Sequence, residues 1–231
     1  VAHRYGWRTA YAGIGALGLL SFVLLAWQLP RGLFGTPVAL RTWLDLARNR
    51  LVLLLLLVTT LYMSGQFVIF TFMGPLLVRL TGASADATSL VFALYGVFGF
   101  AGVAVATRIV DGWGAYRTSL LSVSLVFAGI SGWALTSGNY PLMALSVAIW
   151  GLGFASSNSM QQVRLVAAAP SMASASVSLN TSVLYVGQAI GSAIGGVLYG
   201  GDFLYGMGYA AMAFLLLALG TVIVTRPRAA G

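Results

Sequence analysis

The sequence predicts an all-helical integral membrane protein. Of its 231 residues, 59% are hydrophobic and only 7% are charged, and the mean hydropathy is +0.94. This composition lies outside the range of soluble globular domains. The apolar residues form runs of about 20 residues or more, the length that a helix needs to cross a bilayer. The shorter alternating pattern of a transmembrane β-barrel, over about 10 residues, is absent.

Seven apolar runs are long enough to be membrane spans, so the sequence predicts seven transmembrane helices. A polar segment of about 20 residues follows the first run, and the other connections are short. The predicted spans cover 9–29, 51–77, 87–110, 116–136, 140–163, 173–199 and 204–224.

The charged residues indicate how the chain is oriented. The net charge of +8 comes from twelve arginines and four aspartates, and the arginines occur singly between apolar runs instead of in a nucleic-acid-binding cluster. Positive residues concentrate in cytoplasmic loops. A cytoplasmic carboxyl terminus places nine arginines inside and three outside, so we expect this orientation in a bacterial inner membrane. With an odd number of spans, this orientation puts the amino end outside, and no signal that would carry it there is visible. Because the first residue is also Val1 and not a methionine, we expect the sequence to start partway through a longer protein.

Several classes of function lack the residues that they need. The chain has no cysteine, which excludes disulfides, thiolate metal sites and cysteine nucleophiles, and no lysine, which excludes a retinal Schiff base. His3 is the only histidine, and no nucleophile with a nearby base is visible. We therefore expect no enzymatic activity, no metal and no cofactor.

The polar segment 31–50 is the best candidate for a linker between two parts of a protein. Thr36 followed by Pro37 is typical of a helix start. The next residues place apolar and charged side chains on opposite sides of a helix, which predicts a short amphipathic helix on the inner membrane surface. A solvated linker is the alternative. The two sets are Trp43, Leu44 and Leu46 against Arg41, Asp45, Arg48 and Arg50.

Amide side chains lie in the middle of three predicted spans. A polar group that faces hydrocarbon is costly, so such amides face a protein interior or a wet cavity. In the second and fifth spans they share a helix face with aromatic residues at spacings of four, four and three. We interpret these faces as walls of a substrate path; satisfaction by neighbouring helices is the alternative. The candidate binding residues are Gln66, Phe70, Met73, Tyr95, Trp150, Asn158, Gln161, Thr181, Tyr185 and Gln188.

Two spans carry ridges of glycine that predict close helix packing. The spans around the two ridges repeat in the same order, so residues 51–136 and 140–224 can be described as two triplets of spans. Each triplet has an amide-bearing first helix, a glycine-ridged second and a third with few polar groups. Because each has three spans, the triplets cross the membrane in opposite senses, as in an inverted 3+3 repeat. The ridges are Gly96, Gly99 and Gly102, and Gly187, Gly191 and Gly195.

Two further local features are predicted. Gly74 and Pro75 should kink or break the second span near its outer end. In the turn ATRIVDGWGAYRTS, Asp111 lies between two cations and beside glycines, so it can lock the turn by charge and hydrogen bonding. The residues of this turn motif are Arg108, Asp111, Gly114 and Arg117.

Residues 66–121, from QFVIFTFMGP to GAYRTSLL, resemble helices seven and eight, and the loop after them, of transporters of the major facilitator superfamily in its arabinose-efflux or drug-efflux branch. WGLGFASSNSMQQVRLV and SASVSLNTSVLYVGQAIGSAIGGVLY resemble helices ten and eleven, and GWRTAY with the first span is similar to helix six. The resemblance implies a last helix of an amino-terminal half, an inter-half linker, a six-helix carboxyl-terminal bundle and a cytoplasmic tail, at 1–30, 31–50, 51–226 and 227–231.

The resemblance also implies a function. Such transporters work by alternating access, with a small-molecule substrate held between this bundle and a preceding six-helix half. Asp111, Gly114 and Arg117 match the loop motif of the superfamily, whereas Ala106, Gly112 and Tyr116 depart from it.

We therefore expect efflux of a small amphipathic solute, drug or sugar by proton antiport, with membrane lipid and the preceding half as partners. No aspartate lies mid-span, so a coupling carboxylate would belong to that half. A non-transporting seven-helix receptor or assembly subunit is the alternative.

Overall fold

The computed structural model describes residues 7–28 and 40–227, and in these ranges the chain is helical without strands. The predicted all-helical membrane fold is confirmed. The predicted helix start at Thr36 and Pro37, and His3, lie outside the described residues. The helices are α1 Trp7–Gln28, α2 Leu40–Arg48, α3 Arg50–Phe70, α4 Met73–Thr81, α5 Ala85–Leu135, α6 Tyr140–Ala168, α7 Ala173–Gly200 and α8 Leu204–Val224, with a 3₁₀ helix at Pro170–Met172.

Helix α1 belongs to a structural unit of its own, and the remaining helices form a second unit, a bundle. The side chains described in α1 are exposed and mostly apolar. The hydroxyl of Ser21 donates to the carbonyl of Leu17 at 2.9 Å, so it is satisfied inside the helix, as a lipid environment requires.

Six of the described helices are long and apolar enough to cross a membrane, and α5 is long enough to cross it twice. Its 51 residues would extend about 76 Å as a straight helix, against about 30 Å of hydrocarbon. The helix is broken at Gly114, where φ is 78° and ψ is 156°. Glycine adopts positive φ at no steric cost, so the chain can change direction at this residue.

Both arms of α5 pack against the same part of α6. Before the break, the ring of Tyr95 lies 5.3 Å from the ring of Trp150. After it, Gly129 lies directly against the backbone of Trp150. In a straight helix Tyr95 and Gly129 would be about 51 Å apart, so α5 is a hairpin of two crossings. Together with the other five long helices, it accounts for the seven predicted spans in the described ranges.

The second predicted span is interrupted between α3 and α4. The interruption lies at Thr71 and Phe72, a few residues before the predicted position at Gly74 and Pro75. Proline lacks an N–H, and its ring clashes with the carbonyl of the residue four positions earlier, which here is Thr71. The proline therefore acts one turn upstream of itself.

Helices α3 and α7 are in backbone contact along the second glycine ridge. A Cβ atom on Gly187 would lie 2.6 Å from the carbonyl oxygen of Thr60, and one on Gly195 would lie 2.5 Å from that of Val68. Because both residue numbers increase together, the two helices run in the same direction. On the first ridge, Gly102 meets the backbone of α6, whereas Gly96 has open space around it in the described structure.

The segment before α3 is docked onto the bundle. Leu46 of α2 is fully buried in an apolar cluster with Leu55 of α3, Leu165 of α6 and Ala175 of α7. The side chain of Asn49 then caps α3 by accepting hydrogen bonds from the first backbone N–H groups of that helix. A helix thus forms where the sequence predicts an amphipathic one, and it covers one end of the bundle.

Candidate functional site

A buried pair of side chains connects α3 to α6. The indole Nε1 of Trp150 donates to Oε1 of Gln66 at 2.6 Å, and Nε2 of Gln66 donates to the carbonyl of Tyr62 at 3.3 Å. Gln66 and Trp150 are both fully inaccessible to solvent. The amide therefore fixes the orientation of the indole ring from one side.

Aromatic rings from three helices surround this pair. The ring of Tyr95 lies 5.1 Å from Phe70, 5.3 Å from Trp150 and 5.2 Å from Phe154, measured between centroids. These distances suit tilted and edge-to-face contacts. Phe70 and Phe154 are half-buried, so the cluster has an open edge.

The sequence did not single out Phe92, although it belongs to this open edge. Its ring lies 6.2 Å from Phe70, and 40% of its surface is exposed. Phe92 precedes Tyr95 by three residues, so helical spacing places both on one face and could have identified it. Met73, a predicted binding residue, is fully buried in the adjoining apolar core.

A second polar chain joins α3, α7 and α6. The hydroxyl of Thr59 donates to Oδ1 of Asn180 at 2.7 Å, and Nδ2 of Asn180 donates to Oδ1 of Asn158 at 3.3 Å. Asn180 is fully buried, whereas Asn158 is partly accessible. Sequence reasoning left Asn180 out of the binding residues, although a mid-span amide was the signal used for the others.

Gln161 lies in a third polar group, away from the aromatic cluster. Its Nε2 donates to the carbonyl of Leu55 at 2.9 Å. Its Oε1 accepts from the hydroxyl of Ser119 at 3.3 Å and from the guanidinium of Arg164 at 3.0 Å. Gln161 is fully buried, and its contacts link α3, α5 and α6.

The candidates on α7 lie on a different surface. Thr181 and Tyr185 are exposed, the latter by 63%, and Gln188 is partly accessible. On the same face, the hydroxyl of Ser192 is hydrogen-bonded to that of Thr71 at 2.8 Å. This face of α7 is open in the described unit.

The ten predicted binding residues therefore fall into two groups, and substrate binding by either stays a prediction. Five are buried and make contacts within the bundle. Five others are wholly or partly accessible. The buried group is Gln66, Met73, Tyr95, Trp150 and Gln161, and the accessible group is Phe70, Asn158, Thr181, Tyr185 and Gln188.

The predicted turn motif is exposed at one end of the bundle. Gly114 provides the break in α5, and the hydroxyl of Thr118 donates to its carbonyl at 3.0 Å. Asp111 makes no ion pair with Arg108 or Arg117 within the described residues. The locking role of Asp111 stays a prediction.

An ion pair forms between two residues that lie in connections between the predicted spans. Arg79 and Asp202 are 2.6 Å apart. Interaction with Tyr199 and the charge of Asp202 raise the pKa of Arg79, so the guanidinium stays charged at any working pH. The pair joins α4 to the α7–α8 turn.

These features define a polytopic helical membrane protein whose helices are held together by glycine contacts and buried amides. The sequence model of the Major Facilitator Superfamily matches residues 1–192. The chain belongs to this superfamily, a family of transporters and not of enzymes, and the resemblance seen in the sequence is confirmed.

Curated relatives match most of the chain. The uncharacterized MFS-type transporter YbcL of Bacillus subtilis is 26% identical over 197 residues, 85% of this chain and 50% of the relative. The transcription regulatory protein OpdE of Pseudomonas aeruginosa is 28% identical over 228 residues, 95% of the chain and 56% of the relative. A probable sugar efflux transporter of Mannheimia succiniciproducens is 24% identical over 229 residues, 97% and 55% respectively. The chain spans about half the length of these relatives.

Proposed function

We propose that this chain is the carboxyl-terminal part of a secondary transporter that exports a small amphipathic solute, such as a drug or a sugar, by alternating access. Membership of the superfamily supports transport, and the efflux name of the Mannheimia relative supports the direction. The observation that carries the proposal is the open edge of the aromatic cluster, which lies on the same bundle as the accessible amides of α6 and α7.

The accessible residues fit an uncharged, partly apolar solute. Phe70, Phe92 and Phe154 offer ring surface, and Asn158 and Gln188 offer amide groups that donate and accept hydrogen bonds. A mostly apolar wall with a few polar groups is typical of small-molecule sites. The buried candidates act as supports, since Gln66 holds Trp150, and Trp150 in turn packs against Phe70.

Proton antiport and orientation also belong to the proposal. Among the described residues the aspartates are all exposed and lie near helix ends or in turns, at Asp45, Asp86, Asp111 and Asp202. A proton-coupled carrier needs a titratable group within the membrane, so the preceding half would supply it. The end of the bundle with Gly114 and Thr225 would be cytoplasmic, because arginines concentrate there.

The test uses the full-length transporter in proteoliposomes with an imposed pH gradient. Uptake of radiolabelled sugars and of lipophilic dyes is compared for Asn158→Ala and Phe70→Ala. Thr221→Ala and Phe100→Ala are controls, because the hydroxyl of Thr221 donates to the carbonyl of Leu217 within α8 and Phe100 is 80% exposed. We expect the first pair to lower kcat/KM for the transported compound about tenfold, the loss from one or two contacts, with the controls unchanged. Equal rates in all four variants would contradict the assigned site.

The non-transporting alternative has one specific observation in its favour, the relative OpdE with its regulatory name. The two functions differ in what the vesicles show. A transporter moves at least one compound in a gradient-dependent way that stops when the gradient is collapsed. A receptor or assembly subunit shows no flux under any gradient.

A further inference from the structure

A large cavity opens at the end of the bundle that carries the turn motif, away from the aromatic cluster. Its volume is about 1070 Å³, and it lies between the beginning of α3, the break in α5 and the ends of α6 and α8. Three arginines line it, at positions 117, 164 and 226, and no acidic residue of the described chain does. The cavity is large enough for a small-molecule group, since ligand sites range from about 300 to 1,000 Å³.

Arg164 is the buried member of the three. Only 7% of its surface is exposed. Its guanidinium donates to Oε1 of Gln161 at 3.0 Å, to the hydroxyl of Ser119 at 3.4 Å, and to the hydroxyl and carbonyl of Thr225 at 2.6 and 3.1 Å. It also lies 5.4 Å from the ring centre of Tyr116. Four hydrogen bonds thus fix the guanidinium in one position.

All the acceptors of Arg164 are neutral, so its charge is not cancelled. No described aspartate lies within 4.0 Å of the guanidinium of Arg164, and the ion pair between Arg79 and Asp202 lies elsewhere in the fold. A buried charge is costly without a partner of opposite sign. The carboxyl end of α8, at Thr225, contributes about half a negative charge through the helix dipole. Arg117 and Arg226 add two further positive charges at the same cavity.

One lining residue indicates that the cavity lies at the level of the membrane surface. Trp113, which is 53% exposed, lies on its lining beside the break in α5. Exposed tryptophans concentrate at the level of the lipid headgroups. Basic pockets between transmembrane helices at that level suit anionic headgroups.

We propose that this cavity binds a phosphate group, carried by an anionic phospholipid or free in solution. Arg164 contributes a fixed positive charge, because neutral acceptors already take the hydrogens of both its terminal nitrogens, and Arg117 and Arg226 are the exposed donors that close around the ligand. Arginine suits this role because its planar guanidinium matches two phosphate oxygens at once. None of the accessible residues assigned to the proposed substrate path lines this cavity.

The experiment measures binding to the purified full-length transporter in a zwitterionic detergent. Two probes are titrated at constant ionic strength set with chloride: inorganic phosphate, and phosphatidylglycerol against phosphatidylcholine. Binding is read as the rise in Tm and as bound mass by native mass spectrometry. Arg117→Gln, Arg226→Gln and Arg164→Gln are compared with Arg108→Gln, a matched control in the same turn that does not line the cavity.

We expect at least one probe to bind saturably, with about tenfold weaker affinity in Arg117→Gln and Arg226→Gln, which is the loss from one charged contact. Arg164→Gln should lose the bound mass in its folded fraction. Arg108→Gln should bind as the parent does. Binding of phosphatidylglycerol alone identifies a lipid site, and binding of inorganic phosphate identifies a soluble one. The proposal is overturned if neither probe binds, or if Arg108→Gln weakens binding as much as Arg226→Gln.

Discussion

The hydrogen bond between Trp150 and Gln66 allows a direct measurement of what a buried amide does in this bundle. Replacing Gln66 by Leu removes the acceptor and leaves the indole N–H without a partner in a fully buried position. Replacing Trp150 by Phe removes the donor but keeps an aromatic ring near Phe70 and Tyr95. The double variant has neither polar group.

The size of the effect follows from burial. Leaving a buried donor unsatisfied costs about 1–3 kcal/mol, whereas removing both partners together can be nearly neutral. Interhelical hydrogen bonds in membrane proteins average about 0.6 kcal/mol and reach about 1.7 kcal/mol. The short distance of 2.6 Å and the complete burial place this bond near the upper end. We expect a coupling energy of about 1 to 2 kcal/mol in the double-mutant cycle.

The assay is reversible unfolding of the full-length protein in mixed micelles of sodium dodecyl sulfate and a mild detergent, followed by circular dichroism. Gln66→Leu and Trp150→Phe should each lower the free energy of unfolding, and the double variant should recover part of the loss. Purely additive changes would refute a supporting role for Gln66. If transport also fell in variants of unchanged stability, the amide would contact the substrate instead.

Three other predictions concern stability and use the same assay. Gly102→Ala should cost about 1–3 kcal/mol or more, because its Cβ would collide with the backbone of Leu152, whereas Gly96→Ala should stay within about 0.5 kcal/mol. Equal losses of stability in the two variants would show that α5 and α6 are not in backbone contact at Gly102. Asn180→Ala should cost about 1–3 kcal/mol because it removes two interhelical hydrogen bonds and leaves the buried hydroxyl of Thr59 only its 3.5 Å contact with the carbonyl of Leu55, and an unchanged midpoint would contradict this. Gly114→Ala should cost about 1 kcal/mol because φ is 78° there, and a stabilised variant would argue against the break.

The fold could be predicted because bilayer thickness sets the length of each apolar run. The predicted spans 173–199 and 204–224 agree with α7 and α8 to within one residue. The break near Pro75 was misplaced because a proline disrupts the turn before it and not its own position. The helix α6 continues to Ala168, beyond the predicted end at residue 163, since nothing in the local sequence marks an end before Pro170.

The candidate site was harder to predict, and the reason is geometric. Helical spacing shows which side chains share a face, but it does not show which helix covers that face. Gln66 and Phe70 lie one turn apart on the same face of α3, yet one is closed by Trp150 and the other lies at the open edge. Arg164 was counted only as a topology signal, although the extra turn of α6 places it inside the bundle.

The glycine contacts also limit how this bundle can move if alternating access operates as proposed. At Gly187, Gly191 and Gly195 the backbones of α3 and α7 touch, and no flexible side chain lies between them to absorb a shift. Such close packing has low compressibility and transmits strain, so we expect α3 and α7 to move as one body. The rearrangement must then occur at surfaces that are open in this unit, such as the face of α7 with Tyr185, which is 63% exposed. A cross-link between α3 and α7 should therefore leave transport intact, whereas one from the Tyr185 face to the preceding half should abolish it.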